Sequence, residues 1–208
     1  MHKFRASSLG LIMTDPKGSD LLSAGGKTYV EKLAKQAVYG YEEQISGKYM
    51  AKGILVEDRS IELYNAVFFT AHKKNTERKT NDWLTGECDI AAAGKIIDIK
   101  SAWSIPTFPA TIEAGLDKFY EWQGRAYMML WDVDLFDIAY ALVDTPVELI
   151  GYEPEELHNV EHINPELRLT IVPYERDKKL EDKIKTRVEA ANKYLDQMVK
   201  QITEEHNF

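Results

Sequence analysis

Gly86-Glu87-Cys88-Asp89, then Ala92-Ala93-Gly94-Lys95, then Ile96-Ile97-Asp98-Ile99-Lys100-Ser101-Ala102 is the stretch whose reading decides the fold. Trp83 to Ala92 is an apolar-flanked run closed by Asp89, the small residues make a turn, and Ile96 to Ala102 is a second β-type run. Residues two apart in a strand share a face, so Asp98 and Lys100 point together and Ile97 and Ile99 point into the core. Pairing of the two runs across the turn sets Asp89 beside Asp98. Two carboxylates next to a lysine can hold a hard divalent cation through oxygen and offer a charged group to position water, which is the equipment for hydrolysing a phosphodiester.

Working outward, Tyr49-Met50-Ala51-Lys52-Gly53-Ile54-Leu55-Val56-Glu57 leads into Asp58-Arg59-Ser60-Ile61-Glu62-Leu63-Tyr64, with apolar positions 54, 55, 61, 64 and 68 on one helical stripe. Gly53 and Glu57 are four apart and share a helical face. Glu57 is the candidate third acidic ligand, with Asp58 its rival. On the other side, Phe119 to Trp131 is expected to form a helix on which Gln123 and Tyr127 face the same way. A glutamine in so apolar a stretch needs hydrogen-bond partners, and a polar site supplies them. Near the start, Arg5 precedes Ser7 and Ser8, either of which can cap a short helix through Met13. A guanidinium, hydroxyls and free helix N–H groups together suit an anion.

Glu57, Asp89, Asp98-Ile99-Lys100 and Gln123-x-x-x-Tyr127, in that order, resemble the PD-(D/E)XK nucleases, and within them the lambda-type, YqaJ-like phage recombination exonucleases and the RecB-type nuclease domains. The resemblance extends over nearly the whole chain, from His2-Lys3-Phe4-Arg5-Ala6-Ser7-Ser8 to Tyr174-Glu175-Arg176-Asp177-Lys178-Lys179. It departs in having Asp98 where many relatives carry Glu, and in the short spacing from Arg5 to Ser7 and Ser8. What it implies is a restriction-endonuclease-like core and a Mg²⁺-dependent 5′→3′ exonuclease acting on linear double-stranded DNA ends. Asp89, Asp98 and the Ile99 carbonyl would hold one Mg²⁺ and Glu57 a second, with Mn²⁺ able to substitute. Lys100 would position the attacking water, Gln123 and Tyr127 would orient the site, and Arg5, Ser7 and Ser8 would bind the DNA 5′-phosphate. The resemblance further implies a homotrimeric ring and a single-strand annealing recombinase as partner. A structure-specific endonuclease, or a catalytically silent DNA-binding module of the same fold, is the alternative.

At 208 residues, 44% hydrophobic and 11% aromatic, the chain is expected to be one globular domain spanning residues 1–208. It is read as an α/β fold: a central mixed β-sheet flanked by helices, with strands at Phe136 to Val143 and Arg168 to Val172. A long C-terminal amphipathic helix is expected from Arg176 to Glu204, apolar at 180, 184, 188, 191, 195, 198 and 202. A further helix is expected from Ser23 or Lys27 to Val38, closed by Gly40. One cysteine, Cys88, excludes an internal disulfide and a cysteine-ligated cluster. The sequence shows no signal peptide and no membrane span, so a cytoplasmic location is expected. The net charge of −8 opposes nucleic-acid binding as a total, but DNA needs only a local positive path, and basic clusters lie at residues 2–5, 72–74 and 78–79. Gly26-Lys27-Thr28 lacks the upstream glycine of a phosphate loop. His158 and His162 read as surface histidines.

Overall fold

The computed structural model describes residues 1–43 and 46–206. In chain order it contains β1 (Phe4–Arg5), α1 (Gly10–Met13), α2 (Ala24–Tyr39), α3 (Lys48–Leu55), α4 (Glu57–Phe68), β2 (Lys79–Thr80), β3 (Leu84–Gly86), β4 (Ile90–Ala92) and β5 (Lys95–Ser101). There follow α5 (Lys118–Trp131), β6 (Leu135–Ala141), α6 (Val147–Ile150), β7 (Leu169–Glu175) and α7 (Lys178–Glu205). Four strands form a mixed sheet in the order β4-β5-β6-β7, and β1-β3-β2 form a small second sheet.

Strand β5 is the axis of the molecule. It is antiparallel to β4, with Ile90 opposite Ile97 and Ala92 opposite Lys95, and Gly94 closes the hairpin in the left-handed region at φ 76°. It is parallel to β6, with Asp98 opposite Ile138 and Lys100 opposite Tyr140. A parallel pair requires a long crossover, which α5 supplies. Ile97 and Ile99 face Ile61, Leu63 and Tyr64 of α4 together with Ala139 and Ala141. On the opposite face Ile96 joins Phe136, Ile138 and Val172 against Tyr127 and Met128 of α5 and Ile184, Val188 and Leu195 of α7. Both faces are therefore covered, which is why six of the seven residues of β5 are apolar or carry a partnered charge.

The helices have local causes. Ser23 caps α2 by accepting from the Gly26 N–H, and Gly40 ends it at φ 66°. Asp117 caps α5 and Asp177 caps α7, each accepting two backbone N–H groups. Three expectations change. The run from Trp83 to Ala92 is not one strand: the chain leaves the small sheet after Gly86 and enters the large one at Ile90. The single helix expected through 54–68 breaks at Val56, whose φ of −111° and ψ of 10° separate α3 from α4. Val56 is buried while Ile54 and Leu55 are exposed, so the apolar stripe does not run through the break. Neither Ser7 nor Ser8 caps a helix: residues 6–8 form a tight turn with Arg5 and Leu9 at its ends, and no side chain accepts at α1.

Lys52 of α3 is wholly buried, and its ammonium donates to the carbonyls of Ala102 at 2.5 Å, Val143 at 2.8 Å and Trp103 at 3.0 Å. His158, expected at the surface, is also wholly buried, with Nδ1 at 3.0 Å from Thr145 Oγ1 and its ring edge-on to Trp103; His162 is exposed. This polar knot ties α3 to the chain just beyond β5 and β6. Burial pulls the Lys52 pKa down to about 8, with Asp144 acting in the opposite sense. An unfolded lysine holds its proton to about pH 10.5, so between 8 and 10.5 the unfolded chain binds more protons and the fold gains stability as pH rises. Relative to Lys52→Met, which cannot titrate, the native protein should gain about 1–3 kcal/mol across that window. Urea midpoints at pH 8 and pH 10 measure this, and parallel behaviour of the two proteins would contradict it.

Candidate active site

At the end of β5 a cavity of about 620 Å³ opens, lined by Glu57, Asp89, Asp98, Ile99, Lys100, Gln123 and Tyr127. Asp89 precedes the first residue of β4, and the hairpin register sets it next to Asp98. Its Oδ2 accepts the Ile99 N–H at 2.6 Å. A strand residue's N–H and C=O leave on the same side, so the Ile99 carbonyl also faces the gap where β4 has ended. Asp98 is 2% exposed; its Oδ2 lies 2.6 Å from Lys100 Nζ, in an ion contact without the direction of a hydrogen bond, and its Oδ1 accepts from Gln123 Nε2 at 3.3 Å.

Gln123 answers the question its sequence posed. Its Oε1 accepts from Lys100 Nζ at 3.3 Å and its Nε2 also donates to the Tyr127 hydroxyl at 2.9 Å. Tyr127 in turn donates to the Glu87 carbonyl at 2.9 Å, fixing the segment that carries Asp89 between the two sheets. Lys100 lies over the Tyr120 ring at 4.4 Å. Burial, then the neighbouring Asp98 charge, raises the Asp89 pKa well above the ordinary carboxylate range, against the pull of Lys100 and the Ile99 N–H. For Lys100 burial acts downward, but Asp98 and Asp89 act upward and the net shift is upward. Burial and Asp98 raise Tyr127 as well, keeping it a phenol.

Glu57 lines the same cavity from the first turn of α4, not from the glycine-bearing helix expected for it. Its carboxylate is engaged by Lys74, a residue read in the sequence only as part of a basic cluster. Among the described residues, no three histidine, cysteine, aspartate or glutamate side chains converge as a metal-binding group. The pair Asp89 and Asp98 still suits Mg²⁺, which takes one or two carboxylates and completes its shell with water and phosphate. A buried Asp98 oxygen without a directed hydrogen bond, beside the half-buried Asp89 carboxylate, is the donor set such an ion satisfies.

Arg5 and Ser7 line an adjoining polar cavity of about 280 Å³ with Arg78, Thr85 and Tyr127, and Ser7 reaches the main cavity too. Arg5 is held by Glu42 at 2.6 Å in an exposed pair. Ser8 lines neither cavity and lies beside the Tyr29 hydroxyl.

A phage-related exonuclease from Haemophilus somnus 129PT superimposes on this chain with a TM-score of 0.90 at 37% identity, over 97% of this chain and 96% of the other. The chain belongs to the lambda-exonuclease-type family of PD-(D/E)XK nucleases. The alkaline exonuclease LHK-Exo from Laribacter hongkongensis matches at 18% identity with a TM-score of 0.69, covering 98% of this chain and 92% of its own. LHK-Exo in complex with dAMP matches at 20% identity with a TM-score of 0.71 over the same shares, and at such identities both show the shared fold alone. No protein-family model and no curated protein matches. In this exonuclease-type frame, replacing Tyr127 with Phe leaves the Glu87 carbonyl and a Gln123 N–H unpaired in a buried setting. Tyr127→Phe should lower stability by about 1–3 kcal/mol, read as a shift in urea midpoint; an unchanged midpoint would show that the hydroxyl anchors nothing.

Proposed function

We propose that this protein is a Mg²⁺-dependent DNA exonuclease that digests linear duplex 5′→3′. The observation that carries the reading is the meeting of Asp89, Asp98 and Lys100 at the open end of β5. Asp89, Asp98 and the Ile99 carbonyl would hold the ion, which when bound supplies Lewis-acid stabilisation of phosphoryl charge and lowers the pKa of water. Lys100, paired with Asp98 and so kept charged, orients the attacking water and offsets negative charge growing on the phosphate. Gln123 holds Lys100 and Asp98 in register, and Tyr127 holds Gln123. Tyr49, Met50 and Ile54 of α3 form an apolar wall of the same cavity. The polarity, a homotrimeric ring and a recombinase partner are parts of the same proposal and come from the resemblance alone. Among the described residues, no helix is long and apolar enough to cross a membrane.

Asp98→Ala and Lys100→Ala should each cut Mg²⁺-dependent degradation of linear duplex by about 10²-fold or more, with an unchanged far-UV circular dichroism spectrum. Mn²⁺ should replace Mg²⁺, and EDTA should stop the reaction. Near-native cleavage by either variant would remove the assigned site. Degradation of closed-circular duplex at a comparable rate would favour the endonuclease alternative.

The polar cavity of Arg5 and Ser7 lies beside the proposed metal site, with Tyr127 in the wall of both. Exposed pairs such as Arg5–Glu42 contribute little net stability, so a phosphate can displace the glutamate. Duplex with a 5′-phosphate should be digested faster than duplex with a 5′-hydroxyl, and Arg5→Ala should erase the difference while leaving the hydroxyl rate intact. Equal rates on both ends in the native protein would count against an end-reading role for Arg5.

A further inference from the structure

Lys100 has one neighbour that no metal ion can take from it. Its ammonium meets three groups: Asp98 Oδ2 at 2.6 Å, Gln123 Oε1 at 3.3 Å and the face of the Tyr120 ring, whose centroid is 4.4 Å away. The ring is held by packing that starts on the neighbouring strand. Tyr140 stands opposite Lys100 in the register of β5 and β6, and its ring lies 6.4 Å from that of Tyr120. Tyr140 is buried, and its hydroxyl donates to the Gly115 carbonyl at 2.9 Å. Gly115 sits so tightly in this layer that a Cβ there would come within 2.8 Å of Val172 and 3.0 Å of Tyr140. Tyr120 also meets the Phe119 ring edge-on at 6.2 Å. The half-buried Tyr120 thus has a supported body and a face turned to Lys100, three residues before Gln123 on α5 and in the wall of the same cavity.

We propose that Tyr120 is a positioning residue for Lys100: its ring face holds the ammonium in the site when a divalent ion takes the Asp98 carboxylate. The inference rests on the metal reading of Asp89 and Asp98 and on the role given to Lys100. An ion at Asp98 competes with Lys100 for the same carboxylate and repels the ammonium as a like charge. Gln123 Oε1 is then a single neutral acceptor at 3.3 Å, on an amide whose nitrogen is already given to Asp98 and Tyr127. An aromatic face attracts a cation through its quadrupole, yet offers a hard ion no lone pair, so ion binding leaves this contact untouched. A carboxylate in the same place would be drawn to the metal. An aliphatic side chain would leave the ammonium free to swing toward water.

The test compares the native protein with Tyr120→Leu and Tyr120→Phe, each in Mg²⁺ and in EDTA. The first readout is acetylation of Lys100 by acetic anhydride, followed by mass spectrometry. With Mg²⁺ present, Lys100 in Tyr120→Leu should react about tenfold faster than in the native protein. In EDTA, where Asp98 still holds the ammonium, it should react at the native rate; a merely structural effect would move both. The second readout is cleavage of linear duplex. Tyr120→Leu should lose about tenfold in kcat with KM little changed, and Tyr120→Phe, which keeps the ring face, should restore most of that loss. If Tyr120→Leu melts early, trifluorophenylalanine at position 120 keeps the ring's shape, drains charge from its face and should show the same loss relative to Tyr120→Phe. Native Lys100 reactivity in Mg²⁺-loaded Tyr120→Leu, or equal losses in Tyr120→Leu and Tyr120→Phe, would overturn the proposal. A native protein without Mg²⁺-dependent cleavage ends the metal reading and this inference together. A native protein that cleaves, beside a Tyr120→Leu whose Lys100 stays protected, ends this inference alone.

Discussion

Asp98 and Lys100 lie on a strand covered by side chains on both faces, and the cost of placing charge there governs the arrangement around them. Taking a carboxylate and an ammonium out of water costs several kcal/mol per ion, and mutual attraction offsets this only when the remaining donors and acceptors are also met. The 2.6 Å contact between the two is therefore necessary and insufficient. Gln123 completes it because an amide carries both a donor for Asp98 and an acceptor for Lys100. Tyr127 and the Glu87 carbonyl extend the chain of bonds into the backbone that presents Asp89. A methionine at 123 would fill the same space and satisfy neither charge.

That network also explains why two sheets are needed. If β3 and β4 were one strand, Asp89 would stand in a regular ladder and its side chain would be directed by the pleat. Because the chain crosses between sheets at residues 87–89, the Asp89 carboxylate can turn back and accept the Ile99 N–H. Cys88, buried at the crossing with its thiol pushed up to about 12 by burial first and the neighbouring aspartates next, is an inert packing residue.

Much of this arrangement was legible in the residues. Period-two alternation from Ile96 to Ala102 places Asp98 and Lys100 on one face, and the small-residue turn sets the register that brings Asp89 alongside. The apolar spacing of α7 was equally readable, since it depends on residues three or four apart, and the lone glutamine of α5 signalled a need for polar partners without naming Asp98 and Lys100. What was hidden depends on contacts between distant segments. The break at Val56 follows from α3 being drawn to the ends of β5 and β6 by Lys52, a lysine whose burial no local pattern signals. His158 sits among glutamates and prolines in sequence, yet faces Trp103 and Thr145 across the fold. Lys74 belongs to a run of basic residues, and long-range bonds on either side of it, from Asn65 to His72 and from Asn75 to Cys88, set it rather than Lys73 beside Glu57.

The Lys52 knot has a consequence for motion. Helix α3 has eight residues, and its outward apolar side chains Tyr49, Ile54 and Leu55 are exposed, so propensity and packing alone would leave it free to fray. Its single buried anchor ends on carbonyls that terminate the two central parallel strands. Separating α3 from the body would leave an ammonium and three carbonyls to be rehydrated together. Its amide protons should therefore exchange with solvent in step with the ends of β5 and β6 rather than with the neighbouring loop, making the cavity wall and the catalytic strand one cooperative unit of opening.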